Sequence, residues 1–234
     1  MVLTRTLLPA VAAVVLAATP LFGQLGEDIP LGFEVVTGFR SDYVYRGFDL
    51  AENVLDVQLE TEVALTNEWV LSLGGWYGTG ANGFSETSGY VDLDYRATGY
   101  SVGFSASYHD YAHVLFESGV DLGAAFTWEV TEDLDVTTGA YYDTGAEGYY
   151  AKAEAAWSKP LTDDSYVSVL GGIGGLSDYY GRSGLGDLYT RLAYTYTFNP
   201  RVAVTPFIGS SLALDSDPQA GDHLFAGLWF EVNF

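Results

Sequence analysis

From Leu55 to Thr66 the chain alternates with a period of two. Leu55, Val57, Leu59, Thr61, Val63 and Leu65 share one face, while Asp56, Gln58, Glu60 and Glu62 occupy the other. Successive side chains of an extended strand point to opposite sides, so the run predicts a strand with one apolar and one polar face. A soluble sandwich would alternate in the same way, but the repetition along the chain is more telling. Period-two segments recur at 31–42, 53–66, 69–79, 88–97, 100–109, 114–128, 134–143, 148–158, 165–174, 187–198, 202–212 and 222–234, and no stretch sustains a helical period. Runs of about ten residues suit tilted strands that cross a membrane.

The connections between these runs alternate in character. Asn67-Glu68, Thr98-Gly99, Thr131-Glu132-Asp133, 161–164 and Asn199-Pro200 are short polar turns, whereas 43–52, 80–87, 110–113, 144–147, 175–186 and 213–221 are longer and carry Tyr, Gly and acidic residues. Short periplasmic turns opposite longer external loops are the asymmetry of an outer-membrane barrel. The expected fold is therefore all-β: one antiparallel transmembrane β-barrel of about twelve strands, closed between the first and the last. Ten strands is the rival count, because Ile173 sits among Gly171, Gly172, Gly174 and Gly175. No helix follows this glycine run, so it is not a phosphate loop; it marks a bend or a close approach of strands.

The faces of the runs separate cleanly. Val91, Leu93 and Tyr95, then Tyr100, Val102, Phe104, Ala106 and Tyr108, then Leu188, Thr190, Leu192, Tyr194, Tyr196 and Phe198, form apolar faces suited to lipid. Trp69, Tyr100, Trp128, Trp157 and Phe198 stand beside short turns, where an interfacial aromatic girdle belongs. The opposite faces carry Glu34, Arg40, Asp56, Glu60, Glu62, Asp92, Asp94, Arg96, Glu117, Asp121, Asp135, Lys152, Glu154, Arg191 and Glu231. A basic group at mid-depth on the lipid side costs about 2–4 kcal/mol, so these charges are expected to line the lumen.

Both ends of the sequence fit export. Arg5, the apolar stretch from Leu7 to Ala18 and the turn Thr19-Pro20-Leu21-Phe22-Gly23-Gln24 read as a signal peptide over 1–23, leaving 24–234 as the mature barrel domain. The apolar stretch is shorter than the roughly 20 residues that span a bilayer. The last strand puts Phe230, Val232 and Phe234 on one face. An alternating strand that stops on an aromatic residue resembles the assembly signal of bacterial outer-membrane barrels, which implies recognition by the barrel-assembly machinery. Outer-membrane lipid and lipopolysaccharide are the other expected partners.

Composition narrows the chemistry. The 234 residues include 28 Gly, 18 Tyr and no Cys, so thiol chemistry and cysteine-bound metals are absent. Nine basic against 31 acidic residues give a net charge of −22, which argues against nucleic acid as a partner. His109, His113 and His223, with Ser107 and Ser118 in reach, raise a rim hydrolase, but no nucleophile motif surrounds either serine. The pairs Asp49/Glu52, Asp143/Glu147 and Asp215/Asp217 lack calcium-loop spacing. No cofactor, metal or catalytic residue is assigned.

One segment resembles a known family. In Thr37-Gly38-Phe39-Arg40-Ser41-Asp42-Tyr43-Val44-Tyr45-Arg46-Gly47-Phe48, the residues Ser41, Tyr43, Tyr45, Arg46 and Gly47 match the S-x-Y-x-[FY]-R-G pattern near the start of the Gcw_chp family of uncharacterised bacterial outer-membrane proteins. The following Pro-Ala-Val-Gln stretch of that family is reduced here to Gln58 within the alternation of strand two. The resemblance covers about 30 residues and implies a fold and a location without an activity. Within the motif, Arg46 is expected to stack on Tyr43 or Tyr45, or to pair with Asp42 or Asp49, holding the first loop over the mouth.

The function expected from these features is a narrow passive pore with an acidic, cation-preferring lumen. A non-conducting structural or surface-interaction barrel with a salt-bridged interior is the alternative, and the rim hydrolase comes third.

Overall fold

A strand crossing hydrocarbon must pair every backbone N–H and C=O, and a sheet meets that demand by closing on itself. The computed structural model, which describes residues 31–215, 217 and 220–234, shows this solution. The expected signal peptide lies outside the described residues. The strands are β1 (Leu31–Tyr45), β2 (Phe48–Ala64), β3 (Trp69–Thr79), β4 (Ser85–Ala97), β5 (Tyr100–Ala112), β6 (Gly119–Thr131), β7 (Leu134–Asp143), β8 (Gly148–Thr162), β9 (Ser165–Tyr179), β10 (Arg182–Asn199), β11 (Val202–Ala213) and β12 (His223–Asn233). Each pairs antiparallel with its sequence neighbour, and β1 pairs with β12 from Glu34↔Asn233 to Arg40↔Gly227, closing a twelve-stranded barrel.

Alternation then sorts the side chains. Large apolar residues on the outer face are exposed in the isolated chain, among them Phe33, Leu55, Phe104, Leu122, Leu192, Leu228 and Phe230. They are the lipid-facing surface. Toward the short turns, Trp69 contacts Tyr95, Tyr95 contacts Tyr100, and Tyr100 stacks on Phe126, an aromatic belt where the interface begins. On the last strand Phe230 and Phe234 face outward, while Trp229 and Glu231, one position off, face the interior.

The glycine-rich strand is an ordinary member of the wall. β9 pairs along its length with β8 and β10, and its glycines make room for rings. A Cβ on Gly172 would meet the Tyr189 ring at 2.4 Å, and one on Gly174 would meet Asp187 Oδ1 at 2.7 Å and the Tyr150 ring at 3.0 Å. The run is thus a close approach at Gly172 and Gly174, and the pairing of β10 shifts register opposite it, between Leu185 and Leu188.

The sequence reading departs from the structure at the external ends. Residues 43–52 and 175–186, expected as loops, are mostly strand, closed by the two-residue turns Arg46-Gly47 and Tyr180-Gly181. All four turn residues have positive φ, the geometry of the tight hairpin whose twist matches its strands. The first of these hairpins has no flanking partner near its tip. Pairing of β1 with β12 stops at Arg40, pairing of β2 with β3 stops at Leu55, and residues between them pair only with each other around a bulge at Tyr43/Val44. Unclamped on both sides, this hairpin folds inward across the mouth.

The outer face yields a direct stability test. Leu192, near the middle of β10, is exposed toward lipid. Leu192→Arg is expected to lower folding stability in liposomes by about 2–4 kcal/mol in a denaturant titration. An unchanged midpoint would mean that this face does not meet hydrocarbon.

Candidate functional site

The hairpin of β1 and β2 reaches the opposite wall of the barrel, and each contact follows from a residue on its inward side. Tyr43 Oη donates to Glu86 of β4 at 3.0 Å. The Arg46 guanidinium at the tip pairs with Asp121 of β6 and donates to Tyr179 Oη of β9 at 3.0 Å. Its centre stands over the rings of Tyr45, Tyr150, Tyr141 and Tyr179 at 4.9, 4.6, 5.2 and 5.2 Å. From β10, Arg182 donates to the Gly47 carbonyl at 2.9 Å, covers the Phe48 ring at 4.5 Å, and also donates to Asp215. A guanidinium removed from water needs both a counter-charge and polarizable faces, and this cage supplies both.

Arg46 therefore stacks on Tyr45 as the sequence suggested, but its carboxylate partner is Asp121 in place of Asp42 or Asp49. Tyr43 is covered by Arg40 instead, at 5.2 Å. Around the tip, Phe48, Leu50, Val54, Phe84, Phe116, Tyr150, Leu176 and Tyr179 form one buried cluster, with Val54 and Tyr179 fully buried. The interior of this barrel holds aromatic rings and paired charges at the external mouth and a surplus of carboxylates below it.

The remaining lumen candidates fall into zones. Arg40 pairs with Asp56 at 2.5 Å, and Lys152 pairs with Glu154 at 2.7 Å, with Tyr189 Oη donating to the same carboxylate at 2.8 Å. Arg191 lies over Trp229 at 4.9 Å. Nearer the short turns, Glu34, Glu60, Glu62, Asp92, Asp94, Asp135 and Glu231 share the inward face with Arg96, which approaches Glu62 at 3.5 Å. Tyr90 Oη donates to Glu60 at 2.5 Å and Thr205 Oγ1 to Glu231 at 3.1 Å. Glu117 is a correction: it lies in the connection between β5 and β6, outside any strand, and its carbonyl accepts from Tyr180 Oη.

Among the inward residues that escaped the sequence reading, three stand beside the hairpin. Glu86 and Arg182 fell in segments expected as loops, and Asp187, the first residue of the expected run 187–198, lies inside β10 beside the hairpin tip. The longer external reach of β4, β9 and β10 turns them into lumen positions, and only the alternation of Glu86 with Ser88 and Tyr90 signalled it.

Ser107, His109 and Glu86 have a chemically suggestive order. Ser107 Oγ lies 2.9 Å from His109 Nε2, and His109 Nδ1 lies 2.9 Å from Glu86 Oε1. That is the serine–imidazole–carboxylate sequence of an activated nucleophile. Acyl transfer also needs donors aimed at the developing oxyanion, and strand N–H groups run within the sheet plane toward neighbouring strands, not into the lumen. Tyr111 stacks flat on His109, and the second Glu86 oxygen is held by Tyr43. These contacts make the trio an anchor for the hairpin. His113 packs against Phe84 and Phe116 in the external connection, where burial pulls its imidazole below the usual range and the Asp49 carboxylate opposes the shift. His223 sits 3.9 Å from Asp49, not in a site with Asp222.

Beside the hairpin the lumen stays open. A cavity of about 400 Å³ runs along β7 to β12 and β1, lined by Arg40, Asp42, Arg46, Lys152, Glu154, Asp187 and Arg191, with walls of Tyr189, Phe207, Phe225 and Trp229. The hairpin thus narrows the mouth, and this cavity lies beside it.

No family model and no curated protein matches the chain. Solved structures do match by fold. The KdgM porin aligns with a TM-score of 0.57 at 11% identity over 87% of this chain and 99% of its own. The NanC porin aligns at 0.56 with 10% identity over 86% and 98%. An outer-membrane channel from Pseudomonas putida F1 aligns at 0.58 with 12% identity over 89% and 97%. At these identities the likeness is one of fold: a porin-like, outer-membrane type of β-barrel.

Breaking the cage tests its role. Arg46→Ala leaves the Asp121 carboxylate buried without its partner, which costs about 3–5 kcal/mol locally. Amide exchange across residues 43–51 is expected to accelerate while β5 to β12 stay protected. The double variant Arg46→Ala/Asp121→Ala is expected to recover part of that loss. Uniform exchange across the barrel in the single variant would mean that the cage supports the whole fold.

Proposed function

We propose that the barrel is a narrow passive channel of the bacterial outer membrane, constricted at its external mouth by the β1–β2 hairpin and cation-preferring below it. The carrying observation is the charge of the periplasmic half, where Glu34, Glu60, Glu62, Asp92, Asp94, Asp135 and Glu231 face inward with Arg96 among them. Most other inward cations are already committed: Arg40 to Asp56, Arg46 to Asp121, Lys152 to Glu154 and Arg182 to Asp215. The surplus of carboxylates therefore lies in the vestibule below the hairpin. A ring of carboxylates in a confined aqueous path concentrates cations and repels anions.

Fold likeness supports the channel reading without naming a solute. KdgM has also been solved in complex with disordered oligogalacturonate. An acidic vestibule is the reverse of what a polyanion needs, so that solute is not carried over to this chain. Lipid, lipopolysaccharide and the assembly machinery follow as partners from the location, and the resemblance of residues 37–48 to the Gcw_chp family agrees with it. A non-conducting structural barrel is favoured by a single observation, the aromatic cluster packed across the mouth.

Reversal potentials across a KCl gradient in planar bilayers separate these readings. The folded protein is expected to show discrete steps with a cation-selective potential. Neutralising the vestibule with Glu60→Gln, Glu62→Gln, Asp92→Asn and Asp94→Asn together is expected to move the potential toward zero. Arg46→Ala, by freeing the hairpin, is expected to raise the step size. An anion-selective potential in the parent protein overturns the charge argument, and a folded barrel without steps gives the non-conducting reading.

A further inference from the structure

The open cavity beside the hairpin is basic in an otherwise acidic chain. Of nine basic residues in the sequence, four line it: Arg40, Arg46, Lys152 and Arg191. Three of these are committed, to Asp56, Asp121 and Glu154. Arg191 is not. Among the described residues its guanidinium has no hydrogen-bond or ion-pair partner, and it lies on the Trp229 ring at 4.9 Å. Glu154 is a carboxylate within electrostatic reach, but one of its oxygens holds Lys152 and the other accepts from Tyr189 Oη. Every nitrogen of Arg191 keeps accessible surface, so its donors open into the cavity. A guanidinium stacked on a ring keeps its in-plane N–H groups free for an acceptor.

Next to this cation the wall is aromatic and recessed. Trp229 packs on Phe207 with ring centroids 4.2 Å apart, and Phe207 meets Phe225 edge-on at 6.5 Å. Each ring lies over the glycine of a neighbouring strand: Trp229 over Gly38, Phe207 over Gly227 and Phe225 over Gly209, where a Cβ would collide with it. Recessed in this way, the rings leave a cavity of about 400 Å³, within the roughly 300–1,000 Å³ of small-molecule sites. The hydroxyls beside the wall already donate, Tyr189 to Glu154 and Ser211 to Asp187.

We infer that this cavity is a binding site for small apolar monocarboxylates, with the ligand carboxylate on Arg191 and its apolar body, best an aromatic ring, on Phe207, Phe225 and Trp229. The inference rests on the channel reading for its access route. Three considerations select this class. A guanidinium lacking an acceptor calls for a carboxylate, which it can hold through two parallel hydrogen bonds. The wall meets the rest of the ligand with ring faces, which favours an apolar group over a polyol whose hydroxyls would be stripped of water. One negative charge is all that Arg191 answers, and a second would only add to the repulsion from the acidic vestibule.

Four probes separate the two halves of the site: phenylacetate, its neutral amide phenylacetamide, acetate, which keeps the charge without the ring, and glucuronate, which keeps the charge on a polar body. Binding is measured by titration calorimetry on the full folded chain in nonionic detergent, with uptake into protein-free micelles subtracted and folding of every variant checked by heat-modifiable migration. Phenylacetate is expected to bind saturably, and phenylacetamide roughly 10–100-fold more weakly, the loss expected for one hydrogen-bonded charge. Acetate and glucuronate are each expected to be weaker than phenylacetate by about 10-fold or more, the loss expected for an unburied ring. Arg191→Gln is expected to bring phenylacetate down to the affinity of its amide, and Arg191→Lys, which keeps the charge but not the fork, to recover part of the loss. Lys159→Gln removes a cation from the outer face of β8, between the exposed Trp157 and Leu161, and is expected to leave binding unchanged. The inference is overturned if phenylacetate does not bind the folded parent protein, if phenylacetamide or glucuronate binds as tightly, or if Lys159→Gln weakens phenylacetate as much as Arg191→Gln does. Because the readout needs no current, binding without conductance removes the channel reading and keeps the site, while conductance without binding removes the site alone.

Discussion

The burial of the Arg46 guanidinium organises the external half of this molecule. A permanently charged group cannot be taken out of water without a counter-charge and donor-matched surroundings. The tight turn that carries it holds Arg46 and Gly47 at positive φ, a conformation costly for arginine, so the position is kept only where surrounding contacts outweigh the strain. Those contacts come from Tyr45 beside it in the hairpin and from Tyr141, Tyr150, Tyr179 and Asp121 on strands across the lumen from the turn. Once the guanidinium is placed, Phe48 follows it into the mouth, Arg182 closes over it, and Tyr43 is left aimed at Glu86.

The interior therefore has two regimes with different rules. At the mouth, aromatic rings and paired charges exclude water and fix geometry. Below it, carboxylates outnumber cations and must remain hydrated, because clustered like charges are tolerable only where water screens them. The side of the lumen along β7 to β12 links the two regimes, since the hairpin tip meets β6 to β10 at the mouth and leaves beside it a cavity lined by Arg191, Glu154 and Asp187.

What was legible in the sequence was what alternation and lipid enforce. Asp56, Glu60, Asp94 and Glu231 were readable as inward because a charge on the other face would meet hydrocarbon. The strand count survived the glycines of β9 because Val167, Val169 and Ile173 keep one apolar face, paired with Tyr194, Leu192 and Leu188 on the outside of β10. Residues 43–52 were not readable as strand, since Tyr, Gly and acidic residues mark loops and strands alike. Nor was the Arg46 partner: Asp42 and Asp49 are near in sequence, but the inward lean of the hairpin carries the guanidinium past them to Asp121. Glu117 shows the opposite failure, a charge in an alternating run that the connection between β5 and β6 removes from the wall.

The contacts that hold the hairpin join distant parts of the chain. Arg46 is 75 residues from Asp121 and 133 from Tyr179, and Gly47 is 135 from Arg182. The hairpin itself closes through a two-residue turn, among the fastest events in folding, whereas its latch exists only after β6 to β10 have taken their places. The order of assembly is thereby set: the wall is built first and the mouth is shut last. Until that final step the mouth of the barrel is wider than in the finished protein.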